Sequence, residues 1–221
     1  MTRNQNDLRS WLRALPIFPD TTPEFDSDNL PSEPATLFLE WLKDAAAAGQ
    51  LAPHAACLST SSVSAVPNAR FLILKDLDHR GWQFASHRTS PKGLDLRDNP
   101  VAALTFFWPA TARQVRVSGA VSEPPTEESA RDFLERPIGS RAATLVGRQS
   151  DPLTDPDAYG AALDVALREL DEHPDAVDSD WTLYALDPSR VEFWQASPGR
   201  DHTRVLYERR EAEWETTLLW P

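Results

Sequence analysis

The sequence predicts a mainly β chain with flanking helices, an α+β protein whose strands form an antiparallel sheet or barrel. Two observations carry that prediction. Roughly five strand-like runs follow one another at hairpin spacing between residues 55 and 121, with no long helix between them. No GxGxxG or P-loop pattern occurs anywhere in the chain, which argues against a parallel nucleotide-binding sheet.

The N-terminal residues 1–34 start with a short amphipathic piece around Leu8, Trp11, Leu12 and Leu15. A proline- and acid-rich stretch follows, from Pro16 to Pro34. These residues read as an arm outside a single domain spanning 35–221. A helix is expected to start near Ser32-Glu33-Pro34, with Ser32 as cap. Leu37, Phe38, Trp41, Leu42 and Ala45 give it one apolar stripe, and Gly49 ends it. Ala56, Leu58, Val63, Ala65 and Val66 then predict a strand pair, closed by a turn at Pro67-Asn68.

Residues 70–93, RFLILKDLDHRGWQFASHRTSPKG, are the most informative stretch. Phe71–Leu74 is a continuous apolar run, the pattern of a strand buried on both faces, and Arg70 and Lys75 bracket it. Asp78-His79-Arg80-Gly81 supplies turn chemistry, and Trp82, Gln83 and Phe84 alternate on the return strand. The stretch ends in hydroxyls, two cations and a glycine at a strand-to-helix junction, which suits an anion such as a phosphate ester. A short helix near Leu94–Asp98 stops at Asn99-Pro100. Val101–Trp108 is another buried-strand run, turned by Pro109-Ala110-Thr111. Gln114–Val121 alternates with period two. Thr126–Arg136 should be helical, burying Ala130, Phe133 and Leu134, and a second helix covers about Asp157–Glu172. Trp181–Leu186, Arg190–Gln195, Thr203–Arg209 and Trp214–Leu219 read as closing strands.

The 221 residues suffice for a sizeable core, with 41% hydrophobic residues, eight tryptophans and nine phenylalanines. The formal net charge of −12 opposes nucleic acid and anionic lipid as main partners. Any anionic ligand therefore needs a local basic pocket. Cys57 is the only cysteine, which excludes an internal disulfide and a thiolate zinc site and fits a reducing cytoplasm. It reads as a core filler. No signal peptide and no apolar run of membrane-spanning length is evident, so a cytoplasmic protein without nucleic-acid or membrane partners is expected.

Seven short strings, in consistent order and spacing from about residue 30 onward, resemble the pyridoxine/pyridoxamine 5′-phosphate oxidase family. They are RFLILK (70–75), SPKG (90–93), NP (99–100), RQVRVSG (113–119), RP..S (136–140), RQS (148–150) and EFWQ…R.H.R (192–204). The resemblance implies a split β-barrel homodimer that binds FMN in clefts between subunits, its C-terminal strands serving dimerisation. It implies oxidation of pyridoxamine or pyridoxine 5′-phosphate to pyridoxal 5′-phosphate, with hydride passing to the flavin and dioxygen giving hydrogen peroxide. Transferred by position, Arg70, Lys75, Ala85, Ser86, Lys92, Gln114, Gln149, Ser150, Trp194 and Arg204 meet the cofactor, Gln149 and Ser150 reaching it from the partner subunit, as do Trp194 and Arg204. Lys75, Asp132, Arg136, Ser140, Arg200 and His202 face the substrate, with Arg200 and His202 catalytic. The chain departs from the family pattern in three places. Asp132 replaces a common tyrosine, Ala85 a common aromatic, and Pro91 a frequent arginine. The family's Trp-Gly-Gly segment is also unrecognisable around Trp181. Two rival functions follow: a related oxidase of secondary metabolism acting on a phenazine-type carboxylate, and a flavin-binding module without turnover.

Overall fold

The computed structural model describes residues 5–19, 21–197, 199 and 201–221. Eight strands form one sheet in the order β3-β2-β1-β4-β5-β6-β7-β8. They are β1 (Ala55–Ser61), β2 (Pro67–Asp78), β3 (Gly81–His87), β4 (Val101–Trp108), β5 (Arg113–Ser122), β6 (Trp181–Gln195), β7 (Thr203–Arg210) and β8 (Glu213–Leu218). An additional antiparallel pairing of β3 with β6, Trp82 opposite Leu186 through His87 opposite Trp181, closes six strands into an antiparallel barrel. Among the described residues six α-helices accompany them: α1 (Gln5–Ala14), α2 (Pro34–Ala47), α3 (Pro91–Asp98), α4 (Thr126–Glu135), α5 (Ile138–Leu145) and α6 (Pro156–Glu172). The expected α+β barrel class is therefore correct.

Contacts divide the chain into two compact units. The first comprises residues 1–53, 106–115 and 192–221. Its core is aromatic: Phe38 meets Phe106 at 4.8 Å, Trp41 meets Phe193 at 5.2 Å and Phe193 meets Tyr207 at 5.6 Å between ring centroids. Arg113 is buried there, donating to Asp44 Oδ2 (2.7 Å) and Gln195 Oε1 (2.7 Å), its guanidinium 4.3 Å from the Trp41 ring. α2 begins at Pro34 with Glu33 rather than Ser32 at its N-cap, and no side chain caps it. Leu8, Trp11 and Leu12 lie on α1 as expected, Leu15 follows its last residue, and all four are exposed.

The second unit comprises residues 54–105 and 116–191. β1 pairs with β2 along its whole length, and the connection is residues 62–66, with Ala65 at φ 58°; Pro67 and Asn68 open β2 instead of turning the chain. The apolar run of β2 is not buried on both faces. Phe71 is 76% exposed and Ile73 42%, because within one chain only one face of this strand is covered. Trp82, Gln83 and Phe84 are all buried instead of alternating, so both faces of β3 are covered. β4 alternates, exposing Val101 and Phe107. α4 buries Ser129 and Phe133 but leaves Leu134 exposed. α5 fills a stretch for which the sequence predicted no element, and it packs Ala142 with Ala166 and Leu170 of α6. The two strands expected over 181–195 are one continuous strand, Pro188 included. Gly81 has φ +100° at the β2–β3 turn, where a Cβ would lie 2.0 Å from the Leu186 carbonyl oxygen.

Candidate functional site: a cationic cavity beside β2, β3 and α5

The second unit contains a cavity of about 820 Å³, in the range that holds a cofactor-sized ligand. Of the expected residues, Arg70, Ala85, Ser86, Lys92, Arg136, Ser140 and Gln149 line it.

One end is built by β2, β3 and the start of α3. Ser90 caps α3: its Oγ accepts from the Gly93 N–H (3.4 Å) and donates to the His87 carbonyl (2.7 Å). The cap holds Pro91 and Lys92 in the first turn, where the helix dipole favours an anion. Ser86 Oγ, buried, lies 3.3 Å from Ser90 Oγ. A Cβ on Gly93 would come 2.3 Å from the Arg88 carbonyl oxygen, so the loop closes on itself only with glycine here. Arg70 reaches in from β2, donating to Thr60 Oγ1 (2.7 Å), whose hydroxyl donates to Asp95 Oδ2 (2.7 Å).

Lys92 Nζ donates to Ser90 Oγ (3.2 Å) and to Gln149 Oε1 (3.3 Å) of the same chain. No carboxylate pairs with it among the described residues. Burial first, and then the Arg70 charge, push the Lys92 ammonium down to about 8. Burial likewise lowers Arg70, with Asp95 and Cys57 opposing. Two cations that repel each other, set among hydroxyls at a helix N-terminus, form a donor set for a phosphate. His87 fixes the loop from beneath: its Nε2 faces Asp178 Oδ2 (3.3 Å) and its Nδ1 meets Thr89 Oγ1 (2.6 Å).

The other end is built by α4, α5 and the start of β6. The Arg136 guanidinium lies 3.9 Å from the Trp181 ring and donates to Thr144 Oγ1 (2.7 Å), which in turn donates to the Ser140 carbonyl (3.0 Å). Burial lowers Arg136, opposed by Asp132 and Asp178. Asp132 takes an ion pair from Lys75 (3.0 Å) and the indole N–H of Trp181 (2.8 Å). It does not pair with Arg136, its i+4 neighbour, through any contact within ion-pair distance among the described residues. Trp181, Thr144 and the His87–Asp178 pair carried no sequence signal, because their partners lie far along the chain or outside any motif.

The remaining expected residues lie elsewhere. Ser150 is exposed on the loop after α5, with φ 73°. Gln114, Trp194, His202 and Arg204 belong to the first unit. Gln114 is half-buried on β5. Trp194 packs on Phe18 (5.6 Å) and on His202 (4.9 Å). His202 Nδ1 accepts from the Ser197 N–H (3.1 Å). Arg204 pairs with Glu192 (2.9 Å) and donates to the Trp220 carbonyl (2.7 Å). Arg200 lies outside the described residues.

Comparison with known proteins agrees with this picture. The family model for "Pyridoxamine 5′-phosphate oxidase" matches residues 42–195, and that for "Pyridoxine 5′-phosphate oxidase C-terminal dimerisation region" matches 181–221. The pyridoxine/pyridoxamine 5′-phosphate oxidase of Anaeromyxobacter dehalogenans is 38% identical over 211 residues, covering 94% of this chain and 100% of that relative. The enzyme of the same name from Pseudomonas paraeruginosa is 37% identical over 195 residues, covering 87% and 91%. The crystal structure of PhzG from Burkholderia lata 383, in complex with tetrahydrophenazine-1-carboxylic acid, superposes with a TM-score of 0.84 at 31% identity, covering 90% of this chain and 99% of that one. No helix among the described residues is long and apolar enough to cross a membrane. The chain belongs to the pyridoxine/pyridoxamine 5′-phosphate oxidase family, and is an oxidoreductase of that family.

Proposed function

We propose that the chain is an FMN-dependent oxidase that converts pyridoxamine or pyridoxine 5′-phosphate to pyridoxal 5′-phosphate, with dioxygen as acceptor and hydrogen peroxide as by-product. FMN is the cofactor of this family. The observation that carries the reading is the Arg70–Lys92 pair: two neighbouring cations, with Lys92 lacking a carboxylate partner among the described residues, beside Ser86 and Ser90 at the start of α3. That set suits the terminal phosphate of FMN, and Ala85 lies on the same wall.

Bound FMN supplies the hydride acceptor and the reaction with dioxygen. The chain supplies binding and orientation. Gln149 and the exposed Ser150, on the loop after α5, serve the cofactor bound chiefly by the partner subunit in this reading. The paired donor and acceptor of the Gln114 amide suit the polar edge of a flavin ring, and Trp194 and Arg204 reach the cofactor from the partner subunit in this reading. Arg136, Ser140 and Lys75 anchor the substrate phosphate, far enough from the reacting carbon that binding energy serves orientation. Arg200 and His202 hold the pyridine ring. With Nδ1 of His202 accepting from Ser197, its neutral ring carries the hydrogen on Nε2, where it can donate.

In this reading the protein works as a cytoplasmic homodimer, with residues 35–221 as the FMN-binding domain and 1–34 as an arm. The matched C-terminal dimerisation region supports the dimer, as do the exposed apolar side chains of Phe71 and Ile73 on β2. The test is anaerobic addition of pyridoxamine 5′-phosphate to FMN-loaded protein. The yellow colour should bleach within the mixing time of a few turnovers and return with air, releasing peroxide. Protein that stays colourless and monomeric in the presence of FMN refutes the reading.

A second reading, oxidation of a carboxylate-bearing substrate as in the phenazine branch, is favoured by one observation. The Lys75–Asp132 ion pair leaves Arg136 as the principal cation at the anchoring end.

A further inference from the structure

Asp132 joins two side chains at the anchoring end, Lys75 and the cavity-lining Trp181, although neither Asp132 nor Lys75 lines the cavity itself. The Oδ1 of Asp132 lies 3.0 Å from Lys75 Nζ and its Oδ2 accepts the Trp181 indole N–H at 2.8 Å. The indole it holds is the surface on which the Arg136 guanidinium rests, 3.9 Å from the ring. Both carboxylate oxygens are thus engaged, and the side chain is largely buried, at 15% exposure.

We propose that Asp132 is a specificity-determining residue that sets the charge of the substrate's anchoring group, favouring a monoanion such as a carboxylate over a phosphate dianion. It rests on the second reading above, with Lys75, Arg136 and Ser140 as the anion end of a substrate site that holds a carboxylate.

The reasoning is electrostatic. Two cations facing an anchoring group would together match a dianion. Asp132 neutralises Lys75, so a dianion must either break that pair or lie beside a fixed carboxylate in a partly dry site. Like charges in such surroundings disfavour each other strongly. A monoanion needs only Arg136, whose planar fork accepts a carboxylate side-on, with Ser140 adjacent. The same aspartate steadies Trp181, so it cannot be lost without also loosening the platform under Arg136.

The experiment uses FMN-loaded protein at pH 8 and two probes built on one ring, phenyl phosphate (a dianion) and benzoate (a monoanion). Binding is read from the perturbed flavin absorbance. Asp132→Asn removes the charge while its amide oxygen can still accept from Trp181. It should tighten phenyl phosphate by about tenfold and benzoate by less than about threefold. Asp132→Glu, which restores the charge, should behave as wild type. The wild-type protein should bind benzoate more tightly than phenyl phosphate, and this ratio decides the matter even if the asparagine variant fails to fold. Equal tightening of both probes, no tightening, or failure of either probe to bind any form overturns the proposal. Bleaching by pyridoxamine 5′-phosphate is scored separately: absence of turnover with an intact probe ratio counts against the proposed reaction alone.

Discussion

Lys92→Met should make the cofactor-free protein more stable and the cofactor harder to bind. Burial and the Arg70 charge depress the Lys92 ammonium from its ordinary range near 10.4 to about 8. Folding therefore favours the neutral amine, and below pH 8, where the lysine is protonated in both states, the fold bears the full cost of a poorly solvated cation. Because the side chain is still partly wet, solvent screening reduces that cost to about 1–2 kcal/mol. Between pH 8 and about 10.5 the unfolded chain holds the proton and the folded one does not, so wild-type stability rises with pH through that window. The methionine variant lacks this rise. At pH 7 its melting temperature should exceed that of wild type by about 3–6 °C, and the difference should vanish near pH 10.5. The phosphate of FMN loses a charge-assisted partner, so its dissociation constant should increase about 10- to 100-fold. Wild-type affinity should also fall above pH 8, where Lys92 must take up a proton to meet the phosphate, whereas the variant should show no such dependence. Melts of the cofactor-free protein and quenching of flavin fluorescence measure both halves. A variant that melts lower and binds FMN as wild type does would refute the assignment of Lys92 to the phosphate.

Three other substitutions probe the rest of the molecule. Arg136→Ala should raise KM for the phosphorylated substrate about 10- to 100-fold with little change in flavin affinity; an unchanged KM shows that the anchor lies elsewhere. Arg113→Ala strands the buried Gln195 side-chain oxygen Oε1 and empties the space beside Trp41, and should cost about 2–4 kcal/mol, read as a shift in the urea midpoint at constant slope. Gly81→Ala forces a Cβ onto the Leu186 carbonyl at a positive φ, and should cost about 3 kcal/mol or more; a variant melting like wild type would show that the β2–β3 turn relaxes freely.

Local sequence determined the elements whose cause is local. Period-two alternation located β5, turn chemistry at Asp78–Gly81 located the β2–β3 hairpin, and Pro137 ended α4 where expected. The phosphate-binding end was legible for the same reason: Ser86, Ser90, Lys92 and Gly93 are neighbours in sequence, and a capped helix start needs nothing remote to hold it. What failed was inference about burial. A run such as Phe71–Leu74 reads as a doubly buried strand, yet which face is covered depends on the sheet it joins, and β2 is covered on one side only within a chain. The reverse holds for β3, where both faces are covered and even Gln83 is buried.

The substrate end depended on tertiary structure in the same way. The sequence marked Asp132 as a departure, and helical spacing puts Arg136 four residues on. Instead the carboxylate turns to Lys75 on β2 and Trp181 on β6, separated from it by 57 and 49 residues, because barrel closure brings those strands beneath α4. Sequence thus specifies which charges the chain carries and how each short segment folds. Which charges neutralise one another is decided only when non-local strand pairing sets the distances, since ion pairing falls off over a few ångströms while chain separation carries no such limit.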